Sequence, residues 1–423
     1  MDRYVIGNGF ICDGERIFLK DGGILVEGER IKKIGKWEDL KKEDCEKIDV
    51  KGRMIIPGIL NAHHHSYSSL ACGLKTKDIS TFPKRLKNLW WKLDSILDKE
   101  LIYYSTMKSL IDGIKNGTTM VFDHHASMGF IKGSLNIIKD VYKICYIKGV
   151  LSFEVSERSK ETIKEQIDEN ISFYFENIKD ENIKGLFGLH ANFTLSDKTL
   201  KRIGELKPEE MGIHIHCGES VIDYDYCKKK GYSGTVHRLQ SFNLLNDLSI
   251  LAHCVHISNR DLKIIEQINP VIVSNPVSNA NNRIGCFNFM KIKDYVLGSD
   301  GIGSDIIYQF KFRFFQNSQQ KDIKDLFFKN MKLTKKKFFP DADDFKEGKK
   351  ADIVVLDYIP VMDVDEDNIV SHLVFGVQNR NVFITISNGK ILFKDGKITF
   401  IDEDALFNEI KKITGHLKRK FYA

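Results

Sequence analysis

Eight short apolar runs, near 57–63, 118–123, 147–154, 185–191, 211–217, 249–253, 270–274 and 296–300, alternate with helix-like segments. That alternation is the signature of parallel strands joined by crossover helices. Eight such units in one stretch of chain predict a (β/α)₈ TIM barrel, an α/β fold whose active site lies at the C-terminal ends of the strands. The 423 residues are long enough for one large barrel and an accessory domain.

The ends of the chain have another texture. Residues 1–56 and 345–400 carry short strand patterns broken by polar turns. Asn388-Gly389 and Asp395-Gly396 are tight hairpin signals. The expected division is therefore 1–56 and 345–423 as the two parts of a small β-sandwich, the second ending in a helix, around a barrel at 57–344.

The first barrel strand leads into three consecutive histidines, His63, His64 and His65. Strand side chains alternate, so His63 and His65 share one face and His64 takes the other. Two imidazoles on one face at a strand's end can converge on one metal ion. The fifth strand repeats the pattern, with His214 and His216 separated by Ile215. His216 is nearer the strand's end and is the better ligand; His214, one layer deeper, is expected to be a hydrogen-bonded core histidine. Glu219 follows three residues later, where a carboxyl group can shuttle protons. His253 ends the sixth strand, with His256 in the loop beyond it. Asp300 ends the eighth, where it can bind metal and take a proton from the metal's water. Three histidines and one carboxylate leave a coordination position for water. His124 and His125 end the second strand and His190 the fourth; Asn275 and Asn279 follow the seventh. His125, His190 and Asn279 are the expected substrate contacts, beside the alternative that such residues serve structure alone.

The long loop after the first strand holds an amphipathic helix with Trp90 and Trp91. It is expected to pack on the surface, a lid over the site being the alternative. Residues 311–337 carry nine Lys or Arg, two Asp and five Phe. Such a run can bind nucleic acid, but a solvated amphipathic helix is the reading adopted, because a net charge of +6 on this length is modest. No nucleic-acid or membrane partner is expected. The start has no basic region followed by an apolar core, and no apolar run approaches the roughly 20 residues of a membrane span. Eight scattered cysteines without a C-x-x-C pair suit reduced thiols, hence a cytoplasmic protein.

Taken in order, P-G-I-L-N-A-H-H-H, H-C-G-E, A-H-C-V-H, N-P-V-S-N, L-G-S-D-G and E-G-K-K-A-D-I-V-V-L-D resemble the amidohydrolase superfamily over nearly the whole chain. The likeness is strongest to its cytosine-deaminase and chlorohydrolase-type aminohydrolases. Within these, W-W-K-L-D (90–94), D-H-H-A-S (123–127), F-E-V-S-E-R (153–158) and N-P-V-S-N-A-N-N (275–282) resemble the SsnA group. The resemblance implies that His63, His65, His216 and Asp300 bind one divalent metal, zinc first, with iron or manganese as alternatives. It implies that Glu219 protonates the leaving group or ring nitrogen and that His253 orients the attacking hydroxide. No lysine ends the fourth strand, which argues against the bridged two-metal variant. Two departures, His64 and Ser299 where relatives often carry threonine, remove no ligand.

The function so implied is hydrolytic deamination of an amino-substituted nitrogen heterocycle by a homodimer. Opening of a cyclic amide, or expulsion of chloride, at the same site is the first alternative, and a non-catalytic scaffold the second.

Overall fold

The computed structural model describes residues 3–317, 323–378 and 382–423. The eight expected parallel strands are present as Ile59–His64, Thr118–His125, Lys148–Phe153, Phe187–Ala191, Ile213–Cys217, Ile250–His253, Val271–Ser274 and Val296–Leu297. A short piece, Ile183–Gly185, precedes the fourth. The first three strands and that piece form one parallel sheet; the fourth to eighth form another. Backbone hydrogen bonds link the two at both edges. At one, the N–H of His190 donates to the carbonyl of Val155 over 3.0 Å. At the other, the N–H of Asp300 donates to the carbonyl of His63, also over 3.0 Å.

The eighth strand is shorter than its apolar run predicts. It ends at Leu297, and Asp300 is held by a single bridge to His64 with a left-handed φ of 54°. The glycine at 298 explains the early end: a side chain there would meet the backbone of His63 and the amide of Asn275.

Both ends of the chain enter one mixed sheet of nine strands. Arg3–Cys12 pairs antiparallel with Phe18–Glu27 and parallel with Met54–Pro57. Met54–Pro57 then pairs antiparallel with Ile353–Leu356, bringing the two termini into register. Ile6, Ile24, Ile55, Ile353 and Ile384 form part of a common buried cluster there. The hairpins at Asn388-Gly389 and Asp395-Gly396 have positive φ at both central residues, as two-residue turns between twisted strands require. The chain passes from this sheet into the parallel set at Gly58, where the buried Lys335 donates to the Gly58 carbonyl.

The basic run is helical over Ile306–Gln316, Ile323–Phe327 and Lys329–Phe338, and residues 318–322 lie outside the described residues. All eight cysteines are unbridged. Among the described residues no helix is long and apolar enough to cross a membrane.

Candidate metal centre and substrate pocket

The histidines of the first and fifth strands meet in two tiers. In the lower one, Nδ1 of His63 and Nε2 of His214 are 2.8 Å apart. His214 is thus the hydrogen-bonded core histidine expected of it, and it holds the ring of His63 so that Nε2 points inward. That Nε2 is buried without a hydrogen-bond partner. In the upper tier, Nδ1 of His65 donates to the carbonyl of His124 over 2.6 Å. Its Nε2 then lies 3.0 Å from Nε2 of His216 and 2.9 Å from Oδ1 of Asp300. His63 Nε2 is 3.6 Å from the same carboxylate oxygen. His64 faces the other way, as strand alternation demands: its Nδ1 donates to the carbonyl of Asp300 over 2.8 Å, tying the first strand to the eighth.

The electrostatics fit a cation. Burial works to lower His65, but the hydrogen bond to Asp300 prevails and lifts it to about 9. Burial pushes His63 down to about 3 and His216 well below its usual range. Burial alone would raise Asp300; the adjacent His63 and His65 imidazoles hold it well below the usual carboxylate range. Positive charge is therefore concentrated where neutral imidazoles and one carboxylate converge, and an ion can replace the proton held there. Two overlapping sets have one donor atom each within 4.8 Å of all the others: His63, His65, His124 and His216, and His63, His216, His253 and Asp300. An orphaned imidazole nitrogen and this donor set fit zinc or iron, which imidazole suits.

His253 completes the site from the sixth strand in a left-handed conformation, φ 73°, followed by Cys254 at 45°. That region is costly for a non-glycine residue, and three of them, His253, Cys254 and Asp300, lie beside this cluster. Nδ1 of His253 donates to Oδ1 of Asn279 over 2.8 Å, which leaves Nε2 as the lone pair. His256, by contrast, reaches the carbonyl of Ile284 and stays in the loop.

A pocket opens over the centre. Tyr67, Phe82, Leu86, Trp90 and Trp91 form its apolar wall; His65, His216, Glu219 and Asp300 line its floor. The segment after the first strand therefore walls the pocket, where the sequence suggested mere surface packing. Removal from bulk water pushes the Glu219 carboxyl up to about 7, with His253 pulling against it.

Of the three expected substrate contacts, His190 lines the pocket, whereas His125 and Asn279 do not. His125 pairs with Ser127 at 2.8 Å and Asn279 with His253. Asn275 is buried with its amide 3.5 Å from the His253 ring.

The sequence assigned no role to a charged group behind the same wall. Arg158 donates to Asp94 over 2.5 Å and lies 3.8 Å from Glu154. Asp94 and Glu154 both face the pocket, and burial raises them to about 6 and about 7. The available signal was the charge closing the apolar run V-L-S-F-E at the third strand's end. The sequence likewise assigned no role to Ser278, whose hydroxyl donates to Oδ2 of Asp300.

The sequence pattern of the amidohydrolase family matches residues 54–335. The chain is similar to the 5'-deoxyadenosine deaminase of Methanocaldococcus jannaschii, 28% identical, with 92% of this chain and 95% of the relative covered. It is 30% identical to the 5-methylthioadenosine/S-adenosylhomocysteine deaminase of Thermococcus sibiricus, covering 92% and 93%. In fold it is similar to an adenosine deaminase from Xanthomonas campestris with bound zinc, at a TM-score of 0.86, 17% identity and 99% coverage of both chains. It is similar also to a zinc complex of atrazine chlorohydrolase from Arthrobacter aurescens, at 0.79 and 14%, covering 97% of this chain and all of that one.

Proposed function

The chain belongs to the amidohydrolase family, and from that premise we propose that it is a metal-dependent hydrolase that deaminates an amino-substituted purine, adenosine-type nucleosides being the first substrates to try. The observation that carries this reading is the convergence of His63, His65, His216 and Asp300 beneath a pocket that Glu219 shares with an aromatic wall. In this reading the two linked parallel sheets are the closed (β/α)₈ barrel of residues 57–344. Residues 1–56 and 345–423 make the small sandwich, and the protein works as a cytoplasmic homodimer. The named relatives point to nucleosides, so the substrate is taken from them and not from the SsnA likeness.

His63, His65, His216 and Asp300 hold one divalent ion, zinc by preference. When bound, the ion supplies the Lewis acidity that brings the pKa of a water from 15.7 towards about 7. Asp300 accepts the proton released as the nucleophile forms. His253, fixed by Asn279, uses Nε2 to orient the attack on the ring carbon that bears the amino group. Glu219, still protonated near neutrality, donates its proton to the adjacent ring nitrogen. The proton stored on Asp300 then passes to the departing amine, ammonia leaves as the ring carbonyl forms, and the hydroxyl proton returns to Glu219. Trp90 and Trp91 hold the flat ring and exclude water, and His190 contacts the substrate from the side.

The test is an ammonia-release screen over adenosine, 5'-deoxyadenosine, 5'-methylthioadenosine and guanine, with zinc-loaded and chelator-stripped protein. Zinc-dependent ammonia from one of these supports deamination; release from none counts against it. The likeness to a chlorohydrolase favours one second reading, expulsion of chloride from a heterocycle, and a chloride electrode on a chlorotriazine separates the two.

A further inference from the structure

His124 ends the second strand, and the proposed reaction gives it no work. It is 0% exposed and does not line the pocket. Neither of its ring nitrogens has a hydrogen-bond partner among the described residues. A neutral imidazole carries one N–H and one lone pair, and burying both unmet is costly.

The surroundings divide the two nitrogens. Nδ1 faces a carboxylate oxygen, Oε1 of Glu154, at 3.4 Å, so the N–H belongs there. Nε2 is then the lone pair. The ring stacks on His214 with centres 4.5 Å apart and is centred 4.8 Å from His216, 5.5 Å from His65 and 5.7 Å from His63. Neither Nδ1 of His63 nor Nδ1 of His65 is free to serve it. His63 has spent Nδ1 on His214, and His65 has spent Nδ1 on the carbonyl of His124 itself. Nδ1 of His216 is likewise buried without a partner among the described residues, and a cation can satisfy imidazole nitrogens gathered in this way. Metal-binding histidines also carry a characteristic support, the second ring N–H given to a carboxylate or carbonyl. His65 has that support from a carbonyl, and His124 has a carboxylate in place for it.

We propose that Nε2 of His124 is a further ligand of the ion held by His63, His65, His216 and Asp300, making the centre a five-donor set with four imidazoles. This rests on the metal-centre reading above. Donor atoms of His63, His65, His124 and His216 lie within 4.8 Å of one another, and Asp300 belongs to a second such set with His63, His216 and His253. Opposite ligands of a zinc ion stand about 4.2 Å apart, so small ring movements close the set. His124 approaches from the side away from the pocket, leaving the substrate side open. The added imidazole tilts the site towards zinc or iron and away from manganese, which prefers oxygen.

The decisive experiment is a crystal structure of the full chain loaded with one equivalent of zinc, the ion located by anomalous scattering. The expected result is zinc at about 2.1 Å from Nε2 of His124. Zinc held by His63, His65, His216 and Asp300 with His124 beyond about 3 Å overturns this proposal and leaves the metal-centre reading standing. No ion at the site sinks both. As a solution check, the visible absorption of the cobalt(II) protein should gain intensity in H124Q as the coordination number falls by one, and zinc should leave that variant for a chelator more than tenfold faster. Identical cobalt spectra count against the proposal, and the wild-type crystal decides it even if H124Q does not fold.

Discussion

Arg85 and Glu219 meet at the two ends of one side-chain amide, that of Asn282. Nη1 of Arg85 donates to Oδ1 of Asn282 over 2.9 Å, and Nδ2 of Asn282 donates to Oε1 of Glu219 over 3.4 Å. An arginine can only donate, so the amide has one orientation and its NH₂ faces the carboxylate. The aromatic wall of the pocket is thereby connected to the acid that the reaction uses. Replacing Arg85 with alanine should lower kcat about tenfold, the effect of losing roughly 1.5 kcal/mol of charged hydrogen bonding. Steady-state kinetics of R85A and R85K check this; the lysine variant should recover part of the loss.

Glu219→Gln removes the proton donor while keeping the shape and the hydrogen bond from Asn282. Metal content by elemental analysis should be unchanged, and turnover should fall by about 10²–10⁴-fold. Near-normal turnover in that variant removes Glu219 from the mechanism.

The pH profile should carry the same signature. Burial lifts the Glu219 carboxyl to about 7, so it keeps its proton below that pH and loses it above. A group that acts as an acid gives a rate that declines as pH rises through its pKa. The alkaline limb of kcat/KM should therefore fall near 7, and E219Q should abolish it. A limb unmoved by E219Q assigns it to another group.

His214 supports a proposed ligand through a 2.8 Å contact and lies below the pocket. Replacing it with phenylalanine fills the space and leaves His63 unheld. Outer contacts of this kind are worth about 10–100-fold in metal affinity, and chelator competition should read that loss. Unchanged affinity would mean that the strand alone fixes His63.

Arg158 neutralises Asp94 where both are nearly dry, with side-chain exposures of 12% and 3%. Removing it with R158A leaves a buried carboxylate without its partner, a loss on the order of 3–5 kcal/mol. Burial already holds Asp94 up at about 6, and Arg158 works to lower it. Below pH 6 the carboxyl is neutral, so the penalty should shrink there and be largest at alkaline pH. Urea unfolding of wild type and R158A at pH 5 and pH 8 measures the difference.

Local chemistry made much of this protein legible. Eight apolar runs found their strands because side-chain periodicity is written into consecutive residues. Asn388-Gly389 and Asp395-Gly396 formed their turns because only a few residues tolerate positive φ there. His63, His65 and His216 stood out because strand alternation fixes which neighbours share a face. What the sequence did not contain is how the strand ends meet. Nothing near His63 announces that His214, 151 positions away, steadies its ring. Nothing near Asn279 says that it serves His253 and not the pocket, or that Arg158 closes on Asp94 across 64 positions. Nor does a local signal show that His124 lies buried with both nitrogens unmet. Such contacts depend on the order and stagger of parallel strands. Those are set by packing of the whole sheet, and no short window of sequence records them.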